Sequence, residues 1–264
     1  VLIKGGIMFQ YVYPQFEKKR LLRVEMLDQL RDYPKDYLQL SYQGYSDGIV
    51  SGCKVSWDEG RLTLLPGIVR KGGNLYFMKE PYTVDCQAEN QVRYLKIQFL
   101  TEVREVGKVM GNTRILLDAQ EADPACEIEL CRFRLQEGAR LRGRHESFED
   151  YATEYDTINL IHVPFAGEGR STLMPCILKQ FAIETIRNRV QDPYDVGFAM
   201  NVMANSGMVS PDCVREYLNV RLDGLKMERN QDVYRGLLKV LREQEYGGRK
   251  AGTERMEQKK VLLM

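Results

Sequence analysis

The sequence is poor in the residue types on which most catalytic and metal sites are built. It contains only two histidines, His145 and His162, and one tryptophan, Trp57, in 264 residues. Any Cys-His or Ser-His nucleophile must use one of those two imidazoles. His162 stands between Ile161 and Val163, the setting of a hydrogen-bonded packing histidine. Neither sign of charge is in excess. Thirty-eight Lys+Arg face 37 Asp+Glu, a formal net charge of +1, so no general field draws the chain onto nucleic acid or acidic lipid. No uncharged run approaches the roughly 20 residues that span a bilayer, and no long apolar stretch resembling a secretory signal follows Lys4. A cytoplasmic protein without a membrane span or nucleic-acid partner is expected.

Cys53, Cys86, Cys126, Cys131, Cys176 and Cys213 are scattered, mostly among apolar neighbours, as small buried hydrophobes are in a reducing compartment. Cys126 and Cys131 are the only close pair, and neither a second pair nor a nearby histidine completes a tetrahedral metal site. The G-x-S-x-G, H-E-x-x-H and G-x-G-x-x-G signatures are missing. Residues 166–172, Ala-Gly-Glu-Gly-Arg-Ser-Thr, superficially suggest a phosphate-binding loop. The glycine such a loop needs is replaced by Pro164, and Arg170 stands for its lysine, so a plain Gly-rich connection is expected. Asp58-Glu59 and Glu149-Asp150 fall in expected turns. No catalytic residue, metal or cofactor is assigned, and a non-enzyme is expected. A hydrolase whose carboxylates meet only in space stays open.

With 44% apolar and 9% aromatic side chains, the chain has enough to bury for one large domain or two small ones. Helical spacing of Leu22, Met26 and Leu30 predicts an amphipathic helix over residues 16–31, ended by Tyr33-Pro34. The period then becomes two: Leu38, Leu40 and Tyr42, then Val55 and Trp57, Leu62 and Leu64, Leu75 and Phe77, and a longer strand over 95–103. Turn residues at 44–48, 58–60 and 72–74 make these an antiparallel meander. Ile128 and Leu130 against Phe133 and Leu135 predict a change of face near Cys131, hence a β-bulge. Helices follow over 173–189, 192–205, 210–225 and 230–244, two of them opening on Asp192-Pro193 and Ser210-Pro211.

The expected fold is α+β: a leader and N-terminal helix over 1–33, an antiparallel β domain over 34–145, a helical domain over 146–245 and a flexible basic tail over 246–264. Lys4-Gly5-Gly6-Ile7 ahead of Met8 is compatible with a translated ribosome-binding sequence, so Met8 is expected as the native start. Two stretches suit protein partners. Arg132, Arg134, Arg140, Arg142 and Arg144 gather positive charge, with Arg132 and Arg134 expected on the wet face of a strand. The tail sets Arg249, Lys250, Arg255, Lys259 and Lys260 before an apolar end, Val261-Leu262-Leu263-Met264.

Asp47-Gly48-Ile49-Val50-Ser51-Gly52, then Val55, Leu62-Thr63-Leu64, Pro66-Gly67-Ile68-Val69 and Gly72-Gly73, resemble the start of tail-fibre and baseplate-associated proteins of phages and phage-tail-like contractile injection systems. Gly48 and Gly52 permit tight reversals around a buried Ile49-Val50 rung, and Pro66-Gly67 kinks a strand whose ladder it cannot continue. The resemblance implies a β fold for this region and a tail-like particle as its setting. It covers about 35 of the 264 residues. The function expected is a structural or adaptor component assembled with other proteins of such a particle, with homo-oligomerisation left open. The alternative is a free-standing carbohydrate- or peptide-binding module using Trp57 and nearby tyrosines.

Overall fold

The computed structural model describes residues 12–222 and 224–261, with side chains to residue 245. Two compact units divide the chain, Val1–Gly44 and Tyr45–Met264. The expected start at Met8 lies outside the described residues.

The first unit carries α1, Val24–Ser41, which buries none of its residues and runs through Pro34. This corrects two expectations, since the helix neither stops at Tyr33 nor gives way to a strand at Leu38, Leu40 and Tyr42. Proline removes one backbone donor, whose intrahelical partner would be the carbonyl of Leu30. Leu30 is 55% exposed, so water can satisfy that carbonyl and the helix continues.

The second unit is α+β, as its sequence predicts. Among its described residues, eleven strands follow: β1 Gly48–Gly52, β2 Val55–Asp58, β3 Arg61–Leu64, β4 Gly67–Lys71, β5 Asn74–Met78, β6 Tyr82–Asp85, β7 Val92–Phe99, β8 Val103–Glu105, β9 Lys108–Met110, β10 Thr113–Asp118 and β11 Glu127–Arg134. All ladders among them are antiparallel. They do not form the simple meander that consecutive hairpins predict. The sheets run β1-β4-β5, β2-β3-β6 and β10-β7-β11, with β8-β9 apart. The hairpin β2-β3 is thus inserted between the paired strands β1 and β4, and Leu65-Pro66 separates β3 from β4. The turns at Glu59-Gly60 and Gly72-Gly73 do adopt the positive φ angles that two-residue hairpin loops need.

β11 carries the expected bulge. Glu129 pairs with Lys96 and Cys131 with Leu95, leaving Leu130 as the extra residue. The expected wet face at Arg132 does not hold, because β11 lies inside the fold rather than at an edge. Beyond β7, its other side is bonded by residues 154–159 through Asn159 to Arg132 and through Glu154 and Asp156 to Arg134. Arg132 is 8% exposed.

The helices are α2 Pro175–Arg187, α3 Pro193–Ala204, α4 Pro211–Arg221 and α5 Asn230–Val261. Ser210 accepts from the Cys213 N–H, and Asp192 accepts from Tyr194 and Asp195. Both capping residues therefore act as their sequence predicts. The backbone of α5 continues past Gln244, where helical spacing in the sequence ends, through Gly247-Gly248 to Val261. Two apolar clusters form the core of this unit. One is helical, around Phe148, Phe181, Phe198, Tyr217 and Leu237. The other is sheet-based, around Ile49, Leu62, Leu95, Phe133 and Ile158. Leu160 and Met174 pack against both.

Candidate interaction surface

The glycine-rich motif is an interlock of backbone segments. A Cβ on Gly52, at φ 69°, would lie 2.2 Å from the Pro66 carbonyl oxygen; one on Gly67 would lie 2.4 Å from both the nitrogen and sulfur of Cys53. Gly48 has φ 148°, and its Cβ would meet the Pro164 carbonyl oxygen at 2.5 Å. Those close approaches let β1 use both edges. Ile49 pairs with Val69 of β4 on one side. On the other, its N–H donates to Pro164 and its carbonyl accepts from Ala166. Ile49 is buried, as the expected rung requires, while Val50 is partly exposed.

The motif thereby fixes the connection at residues 163–172. Phe165 and Thr172 exchange backbone hydrogen bonds, and Ser46 holds Gly167 through its amide and hydroxyl. This is a closed hairpin with Arg170 near its tip, and α2 begins only at Pro175. Its amides at 166 and 172 are spent on the fold, which agrees with a plain connection and not with a phosphate cradle. Asn230, at the start of α5, donates to the carbonyls of Val163 and Thr172 at 2.8 and 3.0 Å. The hairpin, β11 and the start of α5 are thus held around one polar cleft of about 520 Å³, which Arg215 of α4 also lines.

On the sheet side of this cleft the charges are satisfied internally. Arg132 makes a two-pronged ion pair with Glu129 at 2.7 Å and reaches Glu121 at 2.8 Å, while Lys96 bonds Glu127 at 3.0 Å and Asp118 at 3.2 Å. On the helical side they are not. Arg170 lies 3.6 Å from an exposed Asp212; among the described residues, the guanidiniums of Arg215 and Arg229 make no hydrogen bond or ion pair, the Arg229 backbone alone being bonded, to Asp232 and Val233. Burial, then the neighbouring Arg170, pushes the Arg215 guanidinium below its ordinary range. His162 also lines the cleft. Its pKa falls to about 4, first through burial and then through Arg132, with Arg229 and Arg235 adding to the effect against Glu121. Among the described residues, no carboxylate is hydrogen-bonded to this imidazole, and burial favours its neutral form.

Of the other predicted arginines, Arg134 bonds Asn90 and Tyr155, and Arg142 clamps Asp150 with two bonds of 2.7 and 2.6 Å. Arg140 and Arg144 remain exposed. The five do not form one basic face. In the apolar tail end, Val261 is described only as helical backbone, and Leu262, Leu263 and Met264 lie outside the described residues. Among the described residues, no three His, Cys, Asp or Glu side chains are placed to hold a metal ion. No described helix is long and apolar enough to cross a membrane. Burial raises the Cys53 and Cys86 thiols to about 11, which leaves them unreactive near neutral pH.

Two further features escape sequence reasoning. A second cleft, of about 770 Å³, lies between β5 and β10, the free edges of two sheets, with Tyr76, Met78 and Ile115 in its wall. On α3 the only charged residue, Asp195, is fully buried, while Tyr194, Val196 and Met200 are exposed. The near-continuous apolar composition of residues 193–204 is the one local signal that would have found it. Trp57, offered as a sugar platform, packs partly buried against the sheet cluster.

No protein-family model and no curated protein matches the sequence. Solved structures similar to the chain include chains of type VI secretion system baseplate complexes. One is a chain of the TssK-TssF-TssG baseplate subcomplex, at TM-score 0.42 and 11% identity, covering 90% of this chain and 100% of that one. A crystal structure of TssK aligns at TM-score 0.41 and 10% identity, covering 90% of this chain and 72% of that one. A chain of the baseplate complex from the type VI secretion system aligns at TM-score 0.40 and 12% identity, with 90% and 100% covered.

Proposed function

We propose that the chain is a non-enzymatic structural or adaptor component of a phage-tail-like contractile injection particle, at its baseplate or fibre attachment. The observation that carries this reading is the glycine interlock. The residues that resemble the tail-fibre and baseplate motif are those that join β1, β4 and the 163–167 connection by main-chain bonds. The pattern is therefore a backbone device tied to a fold and not a chance of composition. The setting is cytoplasmic assembly into a particle with other proteins; the exposed apolar side of α3 and the cleft at Arg215 are surfaces on which such partners would dock. Quantitative mass spectrometry of particles purified from the native host tests it. Co-sedimentation at fixed stoichiometry is expected. Recovery of the chain only in the soluble fraction, with intact particles present, would overturn the reading.

A second reading, a free-standing peptide-binding module, is favoured by the groove between β5 and β10. Each edge offers an unpaired row of backbone groups to an extended segment. That reading predicts peptide capture by the purified chain without any particle.

A further inference from the structure

We propose that the cleft lined by Arg170, Arg215 and Arg229 is a docking site for a short acidic segment of a partner protein, whose carboxylate the three guanidiniums would hold. This rests on the adaptor reading above and names the chemistry of the partner. Three observations lead to it. The arginines come from three separate elements, the 165–172 hairpin, α4 and the turn before α5, and all line one cleft of about 520 Å³. The acids opposite them are already engaged: Glu121 and Glu129 hold Arg132, and Glu127 holds Lys96, so they do not neutralise the arginine side. Among the described residues, the guanidiniums of Arg215 and Arg229 have no hydrogen-bond or ion-pair partner, and Arg215 is held near a like charge at Arg170 with the exposed Asp212 to relieve it.

An anion between them would relieve the like charge that Arg170 imposes on the partly buried Arg215, and a planar carboxylate meets guanidinium donors in a forked geometry. The charge distribution also selects the anion. Glu228 lines the cleft, and the chain as a whole has a net charge of only +1. A polyphosphate backbone, with its regular row of charges, would extend past the arginines and meet Glu228. An isolated carboxylate, or an adjacent pair, fits between the arginines without that repulsion.

The test uses the full chain and a fluorescent peptide carrying two adjacent glutamates, against the same peptide with glutamines, followed by anisotropy. Saturable binding of the glutamate peptide that weakens with added salt is expected, with about tenfold lower affinity for Arg215→Gln and for Arg229→Gln. Arg104→Gln, exposed on β8 and outside the cleft, is expected to bind as the parent does. Neither cleft variant removes an internal bond, so unchanged melting temperatures are expected and would separate lost docking from lost fold. Equal binding of the two peptides, equal affinity of the cleft variants, or no binding at all would overturn the proposal. So would displacement of the peptide by inorganic phosphate at the same concentration as by acetate-capped glutamate dipeptide. Incorporation of the parent chain into particles is read separately. Its failure would count against the adaptor reading, whereas normal incorporation with no peptide binding would count against this cleft alone.

Discussion

At the residue scale the decisive side chains are the ones that are absent. Gly52 sits at φ 69° with the Pro66 carbonyl oxygen 2.2 Å from where a Cβ would be. Gly52→Val therefore adds both strain and a backbone clash. A residue forced into a sparsely populated region costs on the order of 1–3 kcal/mol, and a fall of roughly 5 °C in Tm is expected for a unit of this size. Gly197, inside α3 with nothing within 4 Å of its would-be Cβ, is the comparison. Gly197→Ala should raise stability by about 0.5–1 kcal/mol. Thermal melts of the two variants check both signs, and equal melting temperatures would refute the interlock. The need for these glycines was legible in the sequence because turn chemistry is local. That they also bring β1 against residue 164 was not, since the contact joins segments more than 100 residues apart.

His162 carries a second prediction at this scale. Its pKa in the fold, about 4, lies below the ordinary 6.5. Between those values the unfolded chain binds a proton that the native chain does not, so stability is fully present above about pH 6.5 and declines as pH falls toward 4. His145, stacked on Tyr151 and also lowered by burial, adds in the same direction. Urea midpoints at pH 7 and pH 4.5, for the parent and His162→Gln, measure it. The variant should lose part of the pH dependence. A midpoint that rises on acidification would contradict the assignment.

At the element scale, the helices are joined by one buried carboxylate. Asp195 of α3, 0% exposed, accepts from the Tyr217 hydroxyl at 2.8 Å and from Gln244 at 2.9 Å, and lies 3.1 Å from Arg221 Nε. It thus ties α3 to α4 and α5, while Tyr217 stacks on Phe198 at 4.1 Å. Removing one partner of such a network leaves the others unsatisfied. Asp195→Ala should cost about 2–4 kcal/mol, with Asp195→Asn costing less because it keeps an acceptor for Tyr217. Denaturant titrations of both give the order. If alanine and asparagine prove equally mild, the network does not tie the helices. Helix existence was readable from spacing and caps, as at Ser210 and Asp192. The role of Asp195 was hidden because the first turn of a helix is where a solvated aspartate is also favoured.

At the scale of the whole molecule, the sequence suggests two independent halves meeting near residue 145, and the structure distributes the contacts differently. Ile158 and Val163, which follow that boundary, belong to the sheet cluster. Residues 154–159 supply the second edge partner of β11, and Leu160 and Met174 pack against both clusters. Period-two patterning could not reveal this, because the covering segment pairs through single bridges and has no strand pattern of its own. The arginine cleft was equally invisible, being assembled from residues 170, 215 and 229. Interlocked cores predict coupled unfolding. In a chain beginning at Tyr45, the urea midpoint followed by Trp57 fluorescence, which reports the sheet cluster, should coincide with that followed by helical circular dichroism. A fragment of residues 45–145 should show no cooperative transition, since it lacks Ile158, Val163 and the outer partner of β11. Separate midpoints, or a cooperative transition in that fragment, would restore the two-domain division that the sequence alone suggests.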